Sequence, residues 1–535
     1  MTIMRYQIFL FFITLGLLMS SCSEDFLDVQ NVNQLSQSSF YQTEQDFEYL
    51  LTSCYLPIGY TQQAGGNFRL GFAIDDRVLH EQANTSALQY NATNEDISRI
   101  YVALYMGVFR SNLFLKNFTE EIEMGDEARR QTLLGEAHFL RGMYYFYLAT
   151  YFEVPPLLTE PAENPLEGYP NATQEELYAF VEAEFTTAMD LLPVQWAESE
   201  LGRATKGAAM SFLGRTYLYQ GKFAEAADIL GQVINAGTYA LNMPQGTDSL
   251  DYVWAYLANF SPVDLPNGNK VYRSEFNSES IYDINYSLVY DEGARASQFL
   301  ILRRSTGGHM TWYNGYSAIT GGFGNVAMEG TEFPQQFERP TDHPAGLAID
   351  PRYYAIFIED GDTLDFRADN PLSQQVFKSS FINGSLETDK GLRKYLYPFH
   401  TSYTWPNAPF QDPNNFRLIR YADVLLMYAE AQVRATNNPS EPTALAAFNQ
   451  VRTRAGMPTL TTLDKNAIIH ERDIELAGEL LRFWDLSRWY KDGWLDLSEV
   501  QAFLPNFQPR HTAFPIPQSE IDRHYGTLLQ NPSWR

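Results

Sequence analysis

The stretch that most constrains this chain is residues 206–237, KGAAMSFLGRTYLYQGKFAEAADILGQVINAG. Met210, Leu213 and Tyr217 recur on one helical face. After Gln220-Gly221, Phe223, Ala226, Ala227, Leu230, Val233 and Ile234 do the same. The pattern is two short helices joined by a tight turn. Leu213-Gly214, Tyr217, Gly221, Ala226 and Leu230 keep the spacing of a tetratricopeptide-type hairpin, with small Gly214 and Ala226 where the helices must approach. A lone hairpin cannot bury its own apolar face, so the pattern calls for similar units elsewhere in the chain.

Such units recur. Thr43-Glu44-Gln45-Asp46 has the form of a capping box, and Phe47, Leu50, Leu51 and Cys54 follow on one face of a helix expected to stop before Pro57. Ile97, Ile100, Tyr101, Leu104, Val108 and Leu115 mark a second helix. Leu133, Ala137, Leu140, Tyr144, Leu148 and Tyr151 mark a third over 127–152, in which Gly135 and Gly142 permit close contact and Pro155-Pro156 forces the end. Thr173 caps another that runs to Leu192. Helical order returns at 420–431 and 443–455, and one last long helix is expected over 464–489. The expected pairs are 43–56 with 97–118, 127–152 with 173–192, 206–220 with 222–236, and 421–435 with 443–455.

Between the third and fourth pairs the character changes. Residues 240–415 are rich in Gly, Pro, Asn and Asp and hold no persistent helical period, although 281–286 has the look of a short strand. Aromatics are scattered through it, among them Trp254, Tyr256, Tyr272, Tyr282, Trp312, Tyr313, Tyr316 and Trp405, and so many argue against disorder. The fold class is therefore mainly α, a tetratricopeptide-like stack of helical hairpins carrying a large irregular, aromatic-rich insertion. Its expected parts are an N-terminal helical portion over 41–239, the insertion over 240–415, and a C-terminal portion over 416–535 that completes the same body.

The N-terminus has the form of an address. Arg5 precedes an apolar run from Ile8 to Met19, shorter than the ~20 residues that span a bilayer, so 1–21 is expected to be a signal peptide. The run ends in Leu18-Met19-Ser20-Ser21-Cys22, which resembles the lipobox of bacterial lipoproteins, with Met19 a less usual occupant. That makes Cys22 the expected lipidation site and 22–40, polar and rich in Asn, Gln and Ser, a tether. Ser23-Glu24-Asp25 resembles signals that route lipoproteins to the outer face of some outer membranes. Cys54 is the only other cysteine, so acylation of Cys22 leaves no intramolecular disulfide, and its place among Phe47 and Leu51 points to core packing. A formal charge of −27 argues against a nucleic acid partner, which needs clustered Lys and Arg.

Taken in order, several stretches resemble the SusD/RagB family of outer-membrane nutrient-binding lipoproteins. They are Ser21-Cys22-Ser23 through Phe26-Leu27-Asp28-Val29, Glu136-Ala137-His138-Phe139-Leu140-Arg141, the 206–237 hairpin, and Ile419-Arg420-Tyr421-Ala422-Asp423 through Glu430-Ala431. Val451-Arg452-Thr453-Arg454-Ala455-Gly456, Glu471-Arg472 through Arg482-Phe483-Trp484-Asp485-Leu486, and the Pro515-Ile516-Pro517 to Gln530-Asn531-Pro532 tail continue the series. Leu481 stands where a small residue is usual, and Glu153-Val154-Pro155-Pro156 replaces a Gly-containing version. The resemblance implies a lipid-anchored cap on the extracellular side of a SusC-type TonB-dependent transporter. Such a cap captures an oligosaccharide, or in some members a peptide, and delivers it without catalysis or cofactor. It also implies that the helical stack meets the transporter while the insertion and the loop after the first helix supply the ligand site.

The residues themselves narrow the candidates. A pyranose has an apolar face and a polar rim, which an aromatic ring flanked by hydrogen-bonding groups matches. In Gly307-Gly308-His309-Met310-Thr311-Trp312-Tyr313-Asn314-Gly315-Tyr316 the glycines suggest a projecting loop, making Trp312, Tyr313, Asn314 and Tyr316 candidate ligand contacts. Asp76 and Arg77 are candidates from the loop after the first helix, with a structural ion pair as the alternative. For an enzyme, the best support is the carboxylate row Glu471, Glu475, Glu479 and Asp485. Arg472, Arg482 and Arg488 stand three residues from members of that row, the spacing of pairs on a helix surface. No metal, nucleophile or phosphate-loop motif appears. A helical-repeat adaptor binding only protein is the remaining alternative.

Overall fold

The computed structural model describes residues 41–63, 74, 79–80, 88–162, 168–261, 264–287, 305–306, 326–327, 333–359, 362, 390–394 and 415–535. Helices dominate. In chain order they begin with α1 (Glu44–Gln63), α2 (Glu95–Asn117), α3 (Glu127–Phe152), α4 (Gln174–Leu191), α5 (Lys206–Tyr219) and α6 (Phe223–Asn235). After the short α7 (Ser249–Leu257) and α8 (Arg352–Ile356) come α9 (Tyr421–Thr436), α10 (Pro442–Arg454), α11 (Lys465–Glu475) and α12 (Arg482–Lys491). The expected partners pack together: α1 with α2, α3 with α4, α5 with α6, and α9 with α10. Successive pairs stack through α2 on α3, α4 on α5 and α6 on α9, so the last pair continues the stack although residues 236–420 intervene.

Glycines set how closely these helices approach. A Cβ at Gly135 would lie 2.9 Å from Leu191 Cβ, and one at Gly142 would lie 3.0 Å from Glu184 Cβ, so α3 presents two flat spots to α4. A Cβ at Gly214 would meet Leu230 Cγ at 2.5 Å, which is the close contact between α5 and α6. The expected capping box at Thr43 forms, and the expected cap at Thr173 is a capping box as well. Thr43 N–H donates to Asp46 Oδ2 at 2.9 Å while Asp46 N–H donates back to Thr43 Oγ1 at 3.3 Å, and Thr173 and Glu176 exchange the same pair of bonds.

Three local expectations are corrected. First, α1 does not stop before Pro57 but runs through it. A proline removes the N–H that would bind the carbonyl four residues back; here that carbonyl, of Ser53, accepts from Arg110 Nη1 at 2.7 Å. The Tyr144 hydroxyl then enters the same turn, donating to Cys54 O at 2.6 Å and accepting from Ile58 N–H at 3.3 Å. Tyr144 reaches this point because α2 has Gly107 beneath its ring, where a Cβ would sit 2.3 Å from a ring carbon. Cys54 itself is fully buried and unpaired, and burial pushes its thiol up to about 12.

Second, α7 is a helix inside the stretch read as lacking one. Asp248 and Asp251 form its capping box, and every residue from Asp251 to Leu257 is buried. A helix buried all round carries no amphipathic period to detect. Third, the long helix expected over 464–489 is two helices. Gly478 and Leu480 between α11 and α12 adopt positive φ of 74° and 61°, a left-handed excursion that ends one helix and re-aims the next.

The described strands are short. β1 (Leu79–His80) opens the series, and β2 (Leu265–Asn267) pairs with β3 (Lys270–Tyr272). β4 (Ser280–Ile284), overlapping the expected 281–286 stretch, pairs antiparallel with β10 (Phe416–Arg420). Tyr421 N–H, at the start of α9, donates to Glu279 O at 2.9 Å. The chain segment that β4 begins and β10 ends is thereby closed at its root. β5 (Tyr286–Ser287) pairs parallel with β6 (Ser305–Thr306), and β7 (Val326–Ala327), β8 (Phe357–Glu359) and β9 (Lys390–Leu392) join β1 in a sheet of order β1-β7-β9-β8.

Candidate ligand-binding site

Cys22, Asp76, Arg77, Trp312, Tyr313, Asn314 and Tyr316 lie outside the described residues. The structure does describe what flanks them. Arg77 stands two residues before β1, and the 307–325 segment holding Trp312, Tyr313, Asn314 and Tyr316 runs directly from β6 to β7. β1 and β7 are hydrogen-bonded neighbours, with Leu79 opposite Ala327 and His80 opposite Val326. The ten residues from Tyr316 to Val326 can extend at most ~36 Å, so both candidate segments are tethered to one sheet edge.

The aromatics of the insertion divide. Trp254, Tyr256, Tyr272 and Tyr282 are core residues, each at most 4% exposed. Tyr282 packs edge-on against Phe139 of α3 with centroids 4.7 Å apart, and Phe333, Phe337, Tyr353 and Phe357 form a cluster beneath β8. These rings hold the insertion onto the helices.

Charged residues fix where the sheet sits. Arg352, immediately ahead of β8 in α8, is 1% exposed and grips Asp350 through Nη2 at 2.7 Å and Nε at 3.1 Å. Its Nη1 donates to Glu471 Oε1 at 2.6 Å and Glu475 Oε2 at 2.9 Å on α11. Lys394, two residues after β9, donates to Glu479 Oε1 at 2.7 Å, Ala477 O at 2.8 Å and the Tyr256 hydroxyl at 2.9 Å, with its Nζ 3.8 Å above the Phe260 ring. Arg420 at the end of β10 reaches Glu279, Glu475 and Glu479, each at 2.7 Å. Arg452 adds a 2.8 Å bond to Glu471, and Arg454 pairs with Glu475.

The carboxylate row is therefore not a solvated ladder on one helix surface, and this corrects the sequence reading. Glu471, Glu475, Glu479 and Asp485 are all buried. Of the i, i+3 pairs, Asp485–Arg488 forms at 2.9 Å, but Arg472 turns to Asp485 and Asp423 and Arg482 to Asp473. The break at Gly478 is the reason, because it takes Glu479 and Arg482 off the face carried by α11. Burial alone would raise Glu475; Arg454, Arg420 and Arg352 outweigh it and hold the carboxyl well below the usual range. Burial alone would likewise raise Glu479; Arg420 and Lys394 override it and lower the carboxyl. A glycosidase acid needs a carboxyl whose pKa is raised, and these are lowered.

Residues 25–218 match the family model described as starch-binding associating with outer membrane, and residues 312–534 match the model of the SusD family. The chain belongs to the SusD/RagB family. A SusD-like protein from Bacteroides ovatus is 24% identical, aligned over 97% of this chain and 90% of its own length. Among solved structures, a laminarin-binding SusD-like protein superposes with a TM-score of 0.66 at 23% identity, covering 92% of this chain and 100% of that one. Another, solved with a xylogluco-oligosaccharide, gives a TM-score of 0.67 at 18% identity over 90% of this chain and 96% of that one. At such identities the structural likeness is one of fold.

Within this SusD-like frame, the anchors Arg352 and Lys394 are what sequence reasoning missed. Each sits alone among irregular sequence, and its partners lie 119 and 85 positions away. Glu471 and Glu475, one helical turn apart, were the only legible half of the arrangement. Among the described residues no helix is long and apolar enough to cross a membrane, and no group of three or more His, Cys, Asp or Glu is placed to hold a metal ion.

Proposed function

We propose that this SusD-family chain is a non-catalytic surface lipoprotein that binds a glycan and delivers it to a SusC-type TonB-dependent transporter. In this reading residues 1–21 are a leader and acylated Cys22 with the 22–40 tether anchors the protein in the outer membrane, facing outward. The helical portions 41–239 and 416–535 form one body, and 240–415 carries the ligand site with Trp312, Tyr313, Asn314 and Tyr316, joined by Asp76 and Arg77. The observation that carries the site assignment is the β1–β7 pairing, since it roots both candidate segments on one sheet edge. The laminarin- and xylogluco-oligosaccharide-bearing neighbours support a glycan as the ligand class. The pairing of every member of the carboxylate row with a cation supports binding without hydrolysis.

The test is a panel of soluble polysaccharides and peptides titrated against the protein and its Trp312→Ala variant. Loss of one stacking ring should weaken glycan binding roughly two- to tenfold or more, because an aromatic contact contributes roughly 0.5–1.5 kcal/mol beyond its area burial. The thermal transition should stay in place. Unaltered glycan affinity removes Trp312 from the site, and release of reducing ends by pure protein would make the protein an enzyme.

A further inference from the structure

We infer that the chain has a second ligand site, for a neutral polyol of one or two sugar rings, in the cavity between the α4–α5 connection and β4. This cavity has a volume of about 440 Å³, within the range of small-molecule sites. It is formed by residues 194–205 before α5, by Thr238 and Tyr239 after α6, and by 276–283 leading into β4. Residues 276–283 fall within 240–415, but none of the lining residues is among Asp76, Arg77, Trp312, Tyr313, Asn314 and Tyr316, so the inference stands independently of that contact set.

The walls are aromatic and held rigidly. Trp196 donates its indole N–H to Ala204 O at 2.7 Å, and the guanidinium groups of Arg203 and Arg129 lie 5.1 and 5.7 Å from its centroid. The Tyr239 hydroxyl is joined to Thr205 Oγ1 at 3.0 Å. Phe276 lines the same space with φ at +51°, a left-handed conformation costly for a bulky residue and sustained only where surroundings over-determine it.

Polar groups share the lining with these rings. Asp283 lines it and is 5% exposed. Its Oδ2 accepts from Ser280 Oγ at 2.6 Å and from Arg417 Nη1, but its Oδ1 has no hydrogen-bond donor among the described residues. The Asp283 side chain is only 1% exposed, so Oδ1 lies behind the wall, and the groups that a ligand hydroxyl meets in the open space are those of Gln195, Thr238 and Ser278. The charges point the same way. Arg203, the lining cation, is paired with Glu136 at 2.5 Å, Glu48 at 2.8 Å and Glu200 at 3.2 Å, and Glu198 adds a further acid. An anionic ligand would find no uncommitted positive charge among these lining residues, whereas aromatic rings beside a hydroxyl acceptor suit a sugar.

The test uses the full-length chain in a sugar-free zwitterionic detergent, probed with maltose, cellobiose, lactose and xylobiose by saturation-transfer NMR. The variant Trp312→Ala/Tyr313→Ala/Tyr316→Ala disables the other site, and residual signal from at least one disaccharide is expected. Adding Ser278→Trp, an exposed cavity-lining position, should weaken that residual binding at least tenfold with the helical circular dichroism unchanged. Thr238→Trp serves the same purpose should the first fill prevent folding. A crystal grown with the binding disaccharide should show it in this cavity, against Trp196 and Tyr239. Loss of all binding in the triple variant, indifference of the residual binding to both fills, or density for water only in the cavity would each overturn the site. Had the triple variant instead bound as the parent does and the cavity fill abolished binding, the 307–325 assignment would fail while this one stood.

Discussion

Arg352→Met tests whether the buried charges hold the β1-β7-β9-β8 sheet to the helical stack. The side chain is 1% exposed and bonded to three carboxylates. After its removal Glu471 keeps Arg452, and Glu475 keeps Arg420 and Arg454, but Asp350, 1% exposed, loses the guanidinium fork that neutralises it. Breaking a buried pair from one side costs about 3–5 kcal/mol, because the partner charge stays buried. An unfolding entropy of ~2.1 cal/mol/K per residue over 535 residues gives ~1.1 kcal/mol/K, so Tm should fall by about 3–5 °C if the body melts as one unit. Differential scanning calorimetry measures this, and the ratio of calorimetric to van't Hoff enthalpy tests the single-unit assumption. Asp350→Asn/Arg352→Met should lose less than the sum of its single changes, since neither buried charge is then left alone. A drop below 1 °C for Arg352→Met, or strict additivity in the double variant, would refute the anchoring argument.

Two further changes probe other links. Tyr144→Phe removes the hydroxyl that bridges Cys54 O and Ile58 N–H at the proline turn, and should cost about 1–3 kcal/mol in urea unfolding; Gly107→Ala, which drives a methyl into the same ring, should cost a similar ~1–3 kcal/mol. Lys394 supplies a pH dependence: burial pulls it down to about 7, against Glu479, while an unfolded lysine titrates near ~10.4. Between those values the unfolded chain holds the extra proton, so this residue's contribution to stability grows as pH rises above 7 and is lost as pH falls through 7. The stability of the parent relative to Lys394→Met should therefore improve by on the order of 1.4 kcal/mol per pH unit from 7.5 to 8.5, and a pH-independent difference would contradict the assignment.

The helical stack was legible where a helix is buried mainly on one side, as α2, α4, α6 and α10 are, and in the longer α3 and α9, buried almost all round, through the spacing of their large residues. Leu133, Ala137 and Leu140, or Ala226, Leu230 and Val233, leave a period that a single sequence displays, and Gly214 opposite Leu230 is the small-residue mark of a hairpin. Legibility failed where an element was short as well as buried all round. In α7 all of Asp251–Leu257 is buried, so no contrast between faces survives. At Pro57 the local rule was sound, but Arg110 and Tyr144, 57 and 86 positions from the backbone groups they bond, supply what the proline removes. The candidate loops offered composition alone, and two-residue strands such as β1 and β7 carry no signal of their pairing.

The misreading of the carboxylate row has the same origin and the larger consequence. Treating 464–489 as one helix put acids and arginines at pairing distance on one helix surface, and Gly478 was the local mark against it. With the break in place, Glu471 and Glu475 become a fixed acidic seam to which distant segments return: Arg352 before β8, Arg420 at the end of β10, and Arg452 and Arg454 of α10. Glu479, beyond the helix, takes Lys394 after β9 and Arg420 again. An apolar plug at each root would tolerate several angles of entry, whereas a guanidinium fork facing two carboxylates admits one. The roots of the insertion are thus set by directional bonds, each strong only with its partner present. That leaves the loops between the roots free to differ in sequence without disturbing the stack beneath them.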